Sequence, residues 1–243
     1  MMTRYFILML VGIATQLHAQ NTFKEALDPF NKLVVDPYIN VELVQGDYDS
    51  IAVNYAGIDP GKIFVEQQGR TLRLFLQDAR IGVGLFADEF EIEEKYRHAK
   101  VWVRLTFKSL KNIQFRGQGE LISNGSISGK KLKLKAYGET DVKLFHVDLD
   151  RMKVALYGDN SFYISSGQVF DHTINTYGEN RVDVSNLTSH GLRSNSFGEN
   201  RLAFNATDIL RVVHFGDGEI QYAGRPVIER RWIIGDVNVR QLR

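Results

Sequence analysis

No cysteine occurs in the 243 residues of this chain. That absence excludes disulfides, a thiol nucleophile and a lipid-anchored amino terminus, so an exported fold built from it must rest on packing alone. Neither sign of charge dominates: 30 lysines and arginines stand against 29 aspartates and glutamates, a net of +1. No global field therefore points to nucleic acid or an anionic membrane, and basic and aromatic residues are too sparsely interleaved for a nucleic-acid partner. Catalytic signatures are missing as well. There is no Gly-x-Ser-x-Gly elbow, no His-Glu-x-x-His and no Gly-Lys-Ser/Thr phosphate cradle. The histidines beyond residue 19 (His98, His146, His172, His190 and His214) show no close pair of the metal-holding kind. We expect no enzyme activity, no cofactor and no metal.

What is present begins with a leader. Arg4 precedes an apolar run from Tyr5 to Ala14, and Ala19 is a small residue suited to a cut before Gln20. This is the pattern of a signal peptide over residues 1–19, too short to span about 30 Å of hydrocarbon. No later segment is apolar enough to cross a bilayer, so no transmembrane segment is expected in the mature chain. With 44% hydrophobic residues the remainder can bury a sizeable core.

The rest is organised by one recurring phrase: aromatic, glycine, acid, small polar residue. It reads Tyr137-Gly138-Glu139-Thr140, Tyr157-Gly158-Asp159-Asn160, Tyr177-Gly178-Glu179-Asn180 and Phe197-Gly198-Glu199-Asn200, and closes with Phe215-Gly216-Asp217-Gly218. The first four glycines are 20 residues apart, and the last follows after 18. Apolar residues alternate on both sides, as strands require, and a fixed period near 20 marks a solenoid. The expected fold is all-β, a right-handed parallel β-helix (β-solenoid) with about 20-residue coils and an N-terminal β-rich half or cap. Leu134, Val154, Ile174 and Val212, with Ser194 as an exception, should form one core ladder. Val142, Phe162, Val182, Leu202 and Ile220 should form another. His172 stands where Leu132, Met152 and Leu192 stand in other coils, so it reads as a tolerated core substitution.

Three rows of the phrase are candidates for function. Glycine suits a bend at positive φ or close backbone packing, and Asn160, Asn180 and Asn200 suit a bend by tolerating the left-handed conformation. The acids form a row that Arg181 and Arg201 can compensate locally; a cation between neighbouring carboxylates is the alternative. The aromatic row would point outward if its strand ran straight. The expectation is nonetheless an inward corner stack, because exposed aromatic rows are uncommon. An outward row would offer a platform for sugar rings. Five residues before each glycine, Lys133, Lys153, Thr173, Arg193 and Arg211 make a basic strip beside this acidic bend. Carboxylates on adjacent coils would be about 5 Å apart, a retaining-glycosidase separation, but any acid ladder gives that distance.

The remaining divisions are coarse. Residues 20–29 read as a short tether, 30–110 as an N-terminal β region and 111–243 as repeats with a C-terminal strand. The acidic, irregular stretch from Asp78 to His98 reads as a solvated loop, since it lacks the spaced oxygen ligands and central glycine of a calcium loop. Gly117 and Gly235 suggest degenerate first and last copies of the repeat.

The signal peptide, the opening Phe30-Asn31-Lys32-Leu33-Val34-Val35, the segment Val41-Glu42-Leu43-Val44-Gln45-Gly46-Asp47 and the glycine-acid repeats resemble the bacterial head GIN domain family. That family is described as an autotransporter adhesin head and is common in Bacteroidetes. The resemblance runs from about Phe30 to Val239 and implies a β-helical fold and an envelope location, in the periplasm or at the cell surface. It carries no catalytic residues. The family's repeats usually read Ser/Gly-Gly-Ser-Gly, so Tyr-Gly-Glu-Asn gives this chain a more charged bend. Too few residues follow Gly216 for a membrane barrel, so another protein is expected to anchor it. The function expected is an exported binding or adhesion module, with a glycan or another envelope protein as partner. Its expected site is Tyr157, Tyr177, Glu179, Asn180, Glu199 and Asn200. The alternatives are a structural envelope protein without a small ligand and a β-helix carbohydrate-active enzyme.

Overall fold

The computed structural model describes residues 21–79 and 95–242. The expected leader and most of the acidic stretch expected as a loop lie outside the described residues. In chain order the strands are β1 (Asn21–Ala26), β2 (Lys32–Val35), β3 (Asn40–Gln45), β4 (Ser50–Ala56), β5 (Ile63–Gln68) and β6 (Thr71–Leu76). There follow β7 (Lys100–Phe107), β8 (Asn112–Arg116), β9 (Gly119–Ile164), β10 (Gly167–Asp183) and β11 (Leu187–Phe197). The last four are β12 (Asn200–Phe215), β13 (Gly218–Ala223), β14 (Val227–Ile234) and β15 (Val237–Gln241).

A straight strand of the 46 residues in β9 would be about 150 Å long, so it must wrap around the molecule. It belongs to a β-solenoid. Strand β10 pairs in parallel with β9 at an offset of 20 residues, from Gly167 on Val147 to Asp183 on Tyr163. It pairs at the same offset with β11 and then with β12. Each coil supplies three pairing segments, such as 167–169, 171–177 and 180–183. Backbone bonds between coils satisfy the polar main chain, which leaves the interior free for apolar side chains.

Both expected core ladders are present and buried. Ile174 pairs with Val154 and Ser194, and Ser194 with Val212. Val182 pairs with Phe162 and Leu202, and Leu202 with Ile220. The first ladder continues into the N-terminal region, where Leu134 meets Ile113, Ile113 meets Leu33, and Leu33 meets Leu72. The N-terminal strands therefore extend the solenoid's own sheets. Antiparallel partners finish them: β5 on β6, and β1 on β4 on β7. Residues 21–26, expected as a tether, are instead strand β1, paired with β4 over six positions. Their polar side chains gave no strand pattern because the pairing is fixed by the backbone of β4.

The glycines of the phrase stack. Gly178 is the register partner of Gly158. All five sit at positive φ, from 97° at Gly138 to 124° at Gly216. A Cβ added at Gly178 would lie 2.5 Å from the Gly158 carbonyl oxygen. Gly117 and Gly235 join the same column, since Gly138 packs on Gly117 and Gly235 on Gly216. Both degenerate copies are thus real coils.

The core also admits histidine. His172 is buried, with Nδ1 3.2 Å from Ser189 Oγ. Its Nε2 has no partner. Burial pushes its pKa down to about 3 from the usual 6.5. His214 is also buried and also lowered by burial, with Nδ1 2.6 Å from Ser196 Oγ.

Two stability predictions follow from this packing. Gly178→Val should lower unfolding free energy by at least about 1–3 kcal/mol, because strained φ and a carbonyl clash coincide. Gly125→Ala, where an added Cβ meets nothing within 4 Å, is the neutral control for the same denaturant titration. A neutral Gly178→Val would mean the column has another origin. For His172 the unfolded chain binds a proton below about pH 6.5 while the folded chain refuses it until about 3. Its contribution to stability is therefore complete above pH 6.5 and lost as pH falls, by about 1.4 kcal/mol per unit. His172→Leu, which copies Leu192 in the next coil, should flatten that part of the pH–stability curve.

Candidate functional site

The aromatic row lies on the outside, contrary to the expected inward stack. Along β9 and β10 the inward residues are Leu132, Leu134 and Ala136, then Met152, Val154 and Leu156, then His172, Ile174 and Thr176. The aromatic residue follows as the next outward position, and the chain turns only at the glycine after it. The corner therefore comes too late to swing the ring inside. Tyr177 is 39% and Phe197 37% exposed, and Tyr137, Tyr157 and Phe215 are half-buried.

These five rings form one continuous stack. Centroids of successive rings are 4.9, 4.9, 5.3 and 5.4 Å apart, with planes within 8° of parallel. The result is a ridge about 20 Å long, parallel to the solenoid axis. Because each face is covered by its neighbour, the ridge presents ring edges and tyrosine hydroxyls to solvent. A ring's edge carries the positive part of its quadrupole, so this surface is less apolar than exposed faces would be. At its upper end the row passes to Arg116, the register partner of Tyr137. Arg116 lies 3.7 Å from buried Asp36, which Arg73 also pairs at 2.6 Å.

Asn160, Asn180 and Asn200 do not take the left-handed conformation, since the only non-glycine residues at positive φ among those described are Tyr38 and Asp78. They point inward. Asn180 is 4% and Asn200 0% exposed. Thr140 Oγ1 donates to Asn160 Oδ1 at 2.7 Å, Asn160 Nδ2 to Asn180 Oδ1 at 3.0 Å, and Asn180 Nδ2 to Asn200 Oδ1 at 3.3 Å. They bond along this ladder, so of the six candidate site residues Asn180 and Asn200 lie buried inside the solenoid rather than on its surface. A signal was available: the asparagine stands two residues before the second core ladder and shares its parity.

Tyr157, Tyr177, Glu179 and Glu199 are brought together at the surface. Asp159, Glu179 and Glu199, with Ser161, Arg181 and Arg201, line a shallow hollow over the buried asparagines. The arginines stand on the acids' side, as expected, yet no ion pair within 4.0 Å joins them to these acids. At the ends of the acid row Glu139 accepts from Gln118 at 3.3 Å and Asp217 from the Asp236 amide at 2.9 Å. No cluster of three or more potential metal-ligating side chains occurs among the described residues.

The chain is thus a β-solenoid bearing regular exterior rows, and comparison gives it a family. Residues 29–226 match the model described as "Putative auto-transporter adhesin, head GIN domain", and the chain belongs to that family. No curated protein matches it. Among the solved structures similar in fold are the following three. A crystal structure of a "putative adhesin" from Bacteroides fragilis has a TM-score of 0.75 at 19% identity, covering 91% of this chain and 96% of that one. One of the same description from Parabacteroides merdae has 0.67 at 17%, covering 92% and 96%. A "putative lipid binding protein" from Parabacteroides distasonis has 0.67 at 16%, again covering 92% and 96%.

The amide ladder yields its own test. Asn180→Ala should cost about 1–3 kcal/mol, because Asn160 Nδ2 and Asn200 Oδ1 both lose a buried partner. Chemical denaturation reads this directly, and an unchanged midpoint would show the ladder to be ornamental.

Proposed function

We propose that the chain is an exported, non-enzymatic binding module of the cell envelope that holds a glycan chain along its solenoid axis. The observation that carries this reading is the solvent-facing aromatic ridge, which repeats a ring edge at five coils and a hydroxyl at the three that carry Tyr137, Tyr157 and Tyr177. Hydroxyls of Tyr157 and Tyr177 donate to the ligand, and carboxylates of Glu179 and Glu199 accept from its hydroxyls. Each contact is weak, but a polymer held at one coil faces the next at high effective concentration. The ridge is ordered before binding, so little side-chain entropy is lost on contact. Membership in a family described as an adhesin supports a binding role at or beyond the envelope. The leader read from the sequence supports export.

A glycan array, followed by titration of any polymer bound, tests this. The Tyr157→Phe/Tyr177→Phe double variant keeps the stack, as Phe197 and Phe215 already do in their coils, and removes only the hydroxyls. Stability should be unchanged and affinity should fall about tenfold, the worth of one or two net hydrogen bonds. If this variant and Glu179→Ala/Glu199→Ala both bind as wild type, the ridge has no contact role and the chain is a structural envelope element.

A further inference from the structure

We infer that the polymer is an acidic polysaccharide, lying on the sheet side of the ridge in a trough between the aromatic row and a row of unpaired cations. This rests on the ridge reading and adds the ligand's charge and its position.

The cations come from the same outward face as the tyrosines. Thr173 is in register with Lys153 on one side and Arg193 on the other. Lys133 continues the row one coil higher, paired with Asn112 of β8. Lys131 and Lys135 flank it, and the three together with Lys153 press on one another enough to lower the Lys133 pKa. Among the described residues none of Lys131, Lys133, Lys135, Lys153 and Arg193 lies within 4.0 Å of a carboxylate. Arg211, next in the row, shows the contrast: Glu229 pairs it at 2.8 Å. A chain with net charge +1 thus concentrates unneutralised positive charge on one strip.

Between that strip and the ridge the side chains are short in three successive coils, while Lys135 takes the same place one coil higher and adds a cation at that end. Ala155, Asn175 and Asn195 are in register, and Asn195 Nδ2 donates to Asn175 Oδ1 at 2.8 Å. They form the floor of a trough whose banks are Lys153, Thr173 and Arg193 on one side and Tyr157, Tyr177 and Phe197 on the other, with Lys133 and Lys135 at its upper end. Four residue steps along the strand separate the Cα atoms of the two banks, about 13 Å. That admits an extended polymer along the axis, with its hydroxyls over the floor amides.

Charge decides which polymer. Across the ridge from the cations stand Asp159, Glu179 and Glu199, so the potential changes sign over a few residues of chain. A neutral polysaccharide has no preference between the flanks. One carrying carboxylates or other anionic groups is drawn to the cations and turned so that only its hydroxyls face the acid row. A bilayer is a poorer fit, because the cations line one bank of a trough beside a raised ridge rather than a plane.

The test uses polygalacturonate as the acidic probe, dextran as the neutral one, and vesicles of phosphatidylcholine with phosphatidylglycerol. Wild type should bind polygalacturonate at low salt, more weakly as salt rises, and dextran at least tenfold less well. Lys133→Ala/Lys153→Ala should lose about tenfold for polygalacturonate with an unchanged melting temperature, since both side chains are outward and unpaired. Equal binding of the two polymers, indifferent to the lysine variant, would overturn the inference and leave the ridge reading standing. Polygalacturonate binding that ignores the lysines but falls in Tyr157→Phe/Tyr177→Phe would overturn the placement in the trough. Binding to vesicles with neither polymer bound, or to none of the three probes, would overturn both readings.

Discussion

At one column of the molecule successive coils approach so closely that only glycine fits. A Cβ on Gly158, Gly178, Gly198 or Gly216 would lie 2.3–2.5 Å from the carbonyl oxygen of the glycine before it. The same residues hold positive φ, which a side chain would strain. Two independent demands thus fall on one position, and together they fix the register of each coil on the next. Once that register is set, every residue at a given offset must lie over its counterpart. The aromatic ridge, the amide ladder, the acid row and the cation row are all consequences of this one constraint.

That explains what could be read in advance. A 20-residue period with apolar positions in phase specifies coil length, parallel pairing and both core ladders, because they depend on spacing alone. The direction of a side chain beside a bend depends on where the turn falls, to within one residue. Strand parity placed the tyrosines outside; the expectation that a corner would carry them in failed because the turn begins at the glycine after them. The asparagines erred the other way. Their tolerance of the left-handed conformation suggested a surface bend, whereas their parity with Val182 and Leu202 puts them inside, where the amides bond along the axis. Strand β1 was invisible because Asn21 to Ala26 carries no apolar alternation, and an edge strand needs little more than a partner's backbone.

The interior bears costs that pure apolar ladders would avoid. His172, Thr176, Ser194 and His214 each leave one buried polar atom without a partner, and Asn200 Nδ2 ends the amide ladder unpaired. All five belong to the coils between residues 172 and 214, whereas the preceding coils fill the same rows with Met152, Leu156 and Val154. Stability is therefore not uniform along the axis. The N-terminal coils, continuous with the antiparallel strands, are the better-packed end, and local opening should start toward the other.

The exterior rows obey a different rule. A stack of rings with covered faces cannot offer each ring as a separate sugar platform, so the ridge is a single edge that bears hydroxyls at Tyr137, Tyr157 and Tyr177 and bare ring edges at Phe197 and Phe215. Under the proposed glycan reading, selectivity would come from what flanks it. On one side are Asp159, Glu179 and Glu199, without ion-pair partners, and on the other lysines that repel one another; these groups make no ion pair that holds the fold together. Opposite charges kept apart on one rigid face cost stability slightly and contribute nothing to packing. Arg211 and Glu229 show how readily a neighbouring coil could have neutralised the cationic row. Between their ends both rows stay open, and under the proposed reading that is what would give a ligand a preferred orientation.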